Sequence, residues 1–289
     1  MKVTVLAPAK INLTLDVLGK RADGYHEIDT IMQTVDIYDR VTVEKGAVDT
    51  LTLTLSDQQL PTDERNTAIK AARAFAEAAH VSVEDISIHI DKQIPQQAGM
   101  AGGSADAAGV LWALNRLFGD LLSVKALCAA GVKVGADVPF CVLGGAARAT
   151  GIGEVLTPVA QLPSCTVLVV KPDENVSTAA AYAAIDSCHL TRRPNTAAML
   201  RALTNADIAG VGEQLCNVIE EAIGLPAPER VRQAVLQNGA CGCIMTGSGS
   251  AVFALFENEA NAAACHTALA EEYPHSWLCH ACPGIQFLQ

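Results

Sequence analysis

Residues 94–108 read Ile94-Pro95-Gln96-Gln97-Ala98-Gly99-Met100-Ala101-Gly102-Gly103-Ser104-Ala105-Asp106-Ala107-Ala108, and this stretch decides the fold. Ahead of it Ile86, Ile88 and Ile90 alternate with polar residues, the period of a strand. Gly99, Gly102 and Gly103 form a small-residue loop after Pro95, and Ser104 opens a helix. Glycines let backbone N–H groups approach a phosphate, and a helix N-terminus adds partial positive charge there. The stretch fits neither Gly-x-x-x-x-Gly-Lys-Ser/Thr nor Gly-x-Gly-x-x-Gly. By itself it is either an anion cradle or a tight turn before an amphipathic helix.

Working outward, the helix after the loop carries Val110, Leu114 and Leu117 on one face and stops near Gly119. Upstream, Asn66 caps a helix reaching about His80, with Ile69, Ala72, Ala76 and Ala79 aligned. At the start, Ile11, Leu13, Leu15 and Val17 alternate with Asn12, Thr14 and Asp16, the pattern of a half-buried strand. Asp23-Gly24 makes a turn, and strands follow over 31–43 and 50–55. Downstream, a short helix from Val124 leads into a turn at Gly135-Ala136-Asp137-Val138-Pro139, with further turns at Gly144-Gly145 and Gly151-x-Gly153. Residues 165–171 read as a buried strand. Helices are expected over 178–185, 196–203, 207–223 and 228–237, then strands around Ile244 and Val252, a helix over 261–271 and a strand near Trp277. Strands followed by clustered helices, without regular alternation, indicate an α+β fold. The Pro158 to Pro163 segment divides the chain into 1–160 and 161–289.

Half of the 289 residues are hydrophobic, ample for one large domain or two in close contact. The net charge of −11 argues against a nucleic-acid or anionic-membrane partner. A polyanionic ligand would have to be held by local donors, backbone dipoles and a metal ion. No apolar run is long enough to span a bilayer, and MKVTVLAPAKINLTL lacks a signal-peptide core, so a cytoplasmic location is expected. The ten cysteines are then expected as reduced thiols, acting as small hydrophobes at Cys128, Cys165 and Cys216. Cys241-x-Cys243 and Cys279-x-x-Cys282, with His280, match no standard zinc spacing.

Three separated segments carry a resemblance. Ala7-Pro8-Ala9-Lys10-Ile11-Asn12-Leu13, the loop from Pro95 to Ala108, and Thr246-Gly247-Ser248-Gly249-Ser250-Ala251-Val252-Phe253 resemble, in order, the three motifs of the GHMP kinase superfamily (galactokinase, homoserine kinase, mevalonate kinase, phosphomevalonate kinase). Arg21-Ala22-Asp23-Gly24-Tyr25-His26-Glu27, Gly135-Ala136-Asp137-Val138-Pro139-Phe140 and Gly151-Ile152-Gly153-Glu154 make it most similar to the branch acting on 4-diphosphocytidyl-2-C-methyl-D-erythritol in non-mevalonate isoprenoid synthesis. The resemblance implies two lobes, an N-terminal one like ribosomal protein S5 domain 2 and a C-terminal ferredoxin-like one, with the active site in the cleft between them. It departs from the family pattern at Gln97 and Ala101, where glycine is usual, and at Ala105, where serine is usual. Altered nucleotide affinity is expected there, not loss of function.

The resemblance also implies roles. Asp137, which by its local sequence caps a turn or projects into a cleft, would take the proton from the substrate hydroxyl. Lys10 would steady the nucleophilic oxygen and hold Asp137 ionised, although a strand lysine is ordinarily exposed. Asn12 shares the face of Lys10, because i and i+2 point the same way, so the two can meet one substrate group. Tyr25 and His26 would form part of the cytidine pocket, with Tyr182 as a second aromatic wall on the helix after Ser177-Thr178 and Thr178 at the substrate. Otherwise these tyrosines pack at the core edge. ATP would be held by Asn66 and by Pro95, Gln96, Gln97, Ala98, Gly99, Met100, Ala101, Gly102, Gly103, Ser104 and Ala105. Ser104 would also face Mg2+, with Asp106 and Glu154 as further carboxylates for it. Gly247, Ser248 and Gly249 would close over the substrate, or simply turn a hairpin. The protein is expected as a monomer or weak homodimer. A mevalonate- or homoserine-type kinase and a non-catalytic ligand sensor on the same fold are the competing readings.

Overall fold

The N-terminal alternation becomes a 19-residue strand, β1 (Lys2–Lys20), paired antiparallel with β2 (His26–Lys45) in the computed structural model, which describes residues 1–46 and 48–288. The expected half-buried strand is corrected here: every residue from Ala7 to Val17 is buried. One face packs into the main core through Ala7, Ala9, Ile11 and Leu13; the other, bearing Lys10, Asn12, Thr14 and Asp16, is covered as well.

Next come β3 (Thr52–Leu55), α1 (Thr67–Ala79), β4 (Ile86–Asp91), α2 (Gly102–Leu117), α3 (Val124–Val132) and α4 (Val138–Leu143). Asn66 does cap α1, its side chain accepting from the Ala68 N–H at 2.8 Å, and His80 ends the helix in the left-handed region. Helix α2 lies directly on β1 and β2. Gly109 permits this approach, since a Cβ there would press into Val41 and Ala7. Strands β5 (Ala146–Gly151), β6 (Val155–Pro158) and β7 (Thr166–Val170) follow, then α5 (Thr178–Ser187), α6 (Thr196–Thr204), α7 (Ile208–Gln214), β8 (Cys216–Asn217), α8 (Val218–Ile223) and α9 (Pro226–Gln237). The chain finishes with β9 (Gly242–Met245), β10 (Val252–Phe256), α10 (Glu259–Leu269), β11 (Ser276–Cys279) and β12 (Gln286–Leu288).

Among the described residues there are two sheets. The eight-stranded one runs β12-β1-β2-β4-β3, with β5 and β6 continuing from β2 and β8 pairing parallel to β1; the four-stranded one runs β11-β7-β10-β9. Leu168, Val170 and Phe256 of the second sheet meet Val231, Val235 and Leu269 from α9 and α10, while Val167, Val169, Phe253 and Leu255 on its other face join the core of the first sheet. The fold is α+β, as expected, with helices on the outer faces.

Several expected elements are corrected. Residues 207–223 form two helices, split where Cys216 and Asn217 leave the helix to pair with Thr14 and Leu15. The Gly135–Pro139 turn runs straight into α4, with Pro139 in its first turn, where a missing N–H costs nothing. Helix α2 starts at Gly102, two residues before Ser104. Strand β5 was hidden because Ala-Ala-Arg-Ala-Thr-Gly alternates only small apolar residues with polar ones and has no branched or aromatic side chain beyond Thr150; pairing with β2 extends it. No helix among the described residues is long and apolar enough to cross a membrane.

Candidate active site

Two register shifts in the β1–β2 ladder, at Pro8/Ala9 and Asn12/Thr14, bracket the segment carrying Lys10 and Asn12. Bulges of this kind re-aim side chains. The Lys10 ammonium, only 4% exposed, donates to Asn12 Oδ1 at 2.6 Å and to the Gly99 carbonyl at 2.8 Å. A buried cation needs such partners. Its remaining proton faces Asp137, whose Oδ2 lies 3.8 Å away. Asp137 occupies the N-cap position of α4, yet its side chain makes no capping hydrogen bond. The carboxylate is therefore not spent on the turn; it stands free, 37% exposed, beside Lys10.

Asn12 is fixed from three sides. Its Nδ2 donates to Thr30 Oγ1 at 2.8 Å, its backbone N–H donates to Thr246 Oγ1 at 3.0 Å, and the Thr246 hydroxyl donates back to Asn12 Oδ1 at 3.2 Å. Thr246 thus joins the third motif to the first. The sequence had shown it only as part of a motif, and Thr30 gave no signal at all.

The glycine loop is held between β1 and the turn after β9. The Lys10 N–H donates to the Met100 carbonyl, and the Ser250 N–H donates to the Gln97 carbonyl. Gly99, at φ 71°, lies so close to Thr246 that a Cβ would collide with the Thr246 carbonyl. Gln97 and Ala101 adopt φ 49° and 59°, the left-handed region where glycine is at ease, which is the physical content of the two departures from the family pattern. Ala101 caps α2 without any side-chain hydrogen bond; its carbonyl accepts the Ser104 N–H at 2.9 Å, and the N–H groups of Gly102 and Gly103, which line the cavity, have no side-chain cap. Beneath the loop Lys92 donates to both Asp39 and Asp106, and Asp39 Oδ1 accepts the N–H groups of Gln93 and Ile94. Asp106 Oδ1 is buried without a partner, and burial pushes its carboxyl well above the usual carboxylate range.

These groups line a cavity of about 640 Å³ that includes Lys10, Asn12, Asn66, residues 94–104, Asp137, Thr178, Tyr182, Gly247 and Ser248. An adjoining cavity of about 630 Å³ is lined by Tyr25, His26, Ser104, Asp137, Thr178, Tyr182 and Asp186. Ser104, Asp137, Thr178 and Tyr182 face both, so the two compartments meet at Asp137. The His26 and Tyr182 rings stack at 4.8 Å, and Tyr25 stands exposed at the same compartment. Burial, reinforced by the nearby Asp137 charge, pushes the Tyr182 phenol up to about 12. Ala105 and Gly249 do not line either compartment: Ala105 is buried in the core and Gly249 packs on Met245. The Glu154 carboxylate is occupied by the Ile152 N–H at 2.7 Å.

A glycine loop at a helix N-terminus, facing a lysine–aspartate pair across a two-part cleft, is the arrangement of a GHMP kinase. The family's N-terminal domain matches residues 66–145 and its C-terminal domain residues 199–275. A 4-diphosphocytidyl-2-C-methyl-D-erythritol kinase of Caldicellulosiruptor saccharolyticus is 48% identical, over 89% of this chain and 89% of that protein; one of Alkaliphilus metalliredigens is 40% identical over 96% of each. A crystal structure of 4-(cytidine 5'-diphospho)-2C-methyl-D-erythritol kinase is 34% identical, covering 97% of this chain and 98% of that one, with a TM-score of 0.80. Homoserine kinase from Cytophaga hutchinsonii, 22% identical with a TM-score of 0.77, shares the fold. The chain belongs to the GHMP kinases and, within them, to the family of 4-diphosphocytidyl-2-C-methyl-D-erythritol kinases.

Proposed function

We propose that the chain transfers the γ-phosphoryl group of ATP to the 2-hydroxyl of 4-diphosphocytidyl-2-C-methyl-D-erythritol. The observation that carries this reading is the position of Asp137, free of any capping duty, 3.8 Å from Lys10 and at the junction of both compartments. ATP occupies the larger compartment, its adenosine toward Asn66 and its phosphates on the N–H groups of the Gly99–Gly103 loop. The substrate lies in the other, its cytosine beside Tyr25, His26 and Tyr182 and its hydroxyl near Thr178.

In the reaction Asp137 accepts the hydroxyl proton, the freed oxygen bonds to the γ-phosphorus, and the bond to the β-bridging oxygen breaks to leave ADP. Lys10 holds the nucleophilic oxygen and offsets the charge that develops on it. Asn12, locked by Thr30 and Thr246, sets where that ammonium points. Gly247 and Ser248 border the transferring group.

Magnesium takes oxygen donors. The Ser104 hydroxyl, which lines the larger compartment, fits that requirement and would hold it, whereas Asp106, buried against Lys92 with its proton retained, does not. When bound it would neutralise phosphate charge, which an acidic chain cannot do through its overall field. ADP release measured with the cytidylated alcohol, mevalonate and homoserine tests the proposal. Turnover of the first alone is expected; turnover of either of the others in its place would overturn it.

A further inference from the structure

His26, the first residue of β2, has one ring nitrogen committed. Its Nε2 lies 2.7 Å from Asp186 Oδ1 on α5, and the other carboxylate oxygen of Asp186 accepts from Lys20 at the end of β1 at 2.7 Å. Hydrogen bonds from Lys20 and then from His26 hold the Asp186 carboxyl below its usual range. A carboxylate only accepts, so Nε2 must be the donor. In a neutral imidazole the other nitrogen then carries a lone pair. Nδ1 has no hydrogen-bond partner among the described residues, the ring is only 8% exposed, and its plane is pinned by the stack on Tyr182. His26, Lys20, Asp186 and Tyr182 all line the smaller compartment.

We infer that Asp186 is a positioning residue for base selection: by fixing His26 with Nε2 protonated, it presents Nδ1 as an acceptor to an exocyclic amine. The inference rests on the proposed cytidine reading of that compartment. Cytosine offers an amine at its 4-position, whereas a carbonyl there sets two acceptors against each other. Uracil is therefore disfavoured by the orientation of a single proton on His26.

Calorimetry with cytidine and uridine 5'-diphosphate, together with nitrogen-15 spectra of the histidine rings at pH 8, tests this. The wild type is expected to prefer the cytidine compound by about tenfold or more and to show His26 protonated at Nε2. Asp186→Ala should lose most of that preference, show mixed His26 tautomers, and raise KM for the cytidylated substrate with little change in kcat. Asp186→Glu should restore the tautomer. Asp186→Ala retaining both preference and spectrum would overturn the inference alone. A wild type with no preference for cytidine would remove the cytidine reading and the inference with it.

Discussion

The Lys10 ammonium sits 3.8 Å from the Asp137 carboxylate, the cation almost sealed from solvent and the anion facing the cleft. Asn12 Oδ1 and the Gly99 carbonyl take two of its protons, so its direction is set before any substrate arrives. Lys10→Met should lower kcat by about 10²–10³. Lys10→Arg should not restore it, because a planar guanidinium cannot reproduce a point charge between those two acceptors. Steady-state kinetics with the cytidylated alcohol measure both.

Gly99 and Ala101 share the left-handed backbone region but not the same surroundings. Gly99→Ala drives a Cβ into the Thr246 carbonyl and should cost at least about 2 kcal/mol. Ala101→Gly relieves strain while loosening the unfolded chain, so its net effect should stay within about 1 kcal/mol. Urea unfolding of the two variants checks the contrast, and nucleotide binding should follow the same order.

Tyr182 supplies an aromatic face to the smaller compartment. Tyr182→Ala should weaken binding of cytidine diphosphate by about 1–3 kcal/mol, and Tyr182→Phe by far less. With its phenol pushed up to about 12, Tyr182 should remain neutral at pH 10 in an ultraviolet titration of the folded protein.

Asp106 ties stability to pH. Unfolded, its carboxyl ionises near pH 4; folded, burial keeps the proton on to higher pH. The native state therefore binds more protons across that interval, and this group's contribution to stability falls as pH rises from about 4 toward neutrality. Asp106→Asn removes that slope. The stability of the variant relative to wild type should increase between pH 5 and pH 8, as read by thermal unfolding.

Much of this was legible in the chain itself. Asn66 as a cap, the strand leading to Pro95, and Lys10 and Asn12 on one face follow from local chemistry, and the structure has each of them. Asp137 was ambiguous because a carboxylate before proline also caps turns; only the tertiary surroundings show its oxygens unused. Thr30, Thr246 and Asp186 were unreadable as site residues, since each acts through partners distant in sequence. The same applies to β5, β8 and β12, which are short or poor in apolar residues and exist because a neighbouring strand offers hydrogen bonds.

The central claim is that the Asp137 carboxylate removes the proton from the attacking hydroxyl. Single-turnover phosphoryl transfer by Asp137→Asn, with ATP and the cytidylated alcohol both bound at saturation, tests it most directly. The account predicts a transfer rate lower by about 10²–10⁴ with both ligands still bound; transfer at the wild-type rate would contradict it.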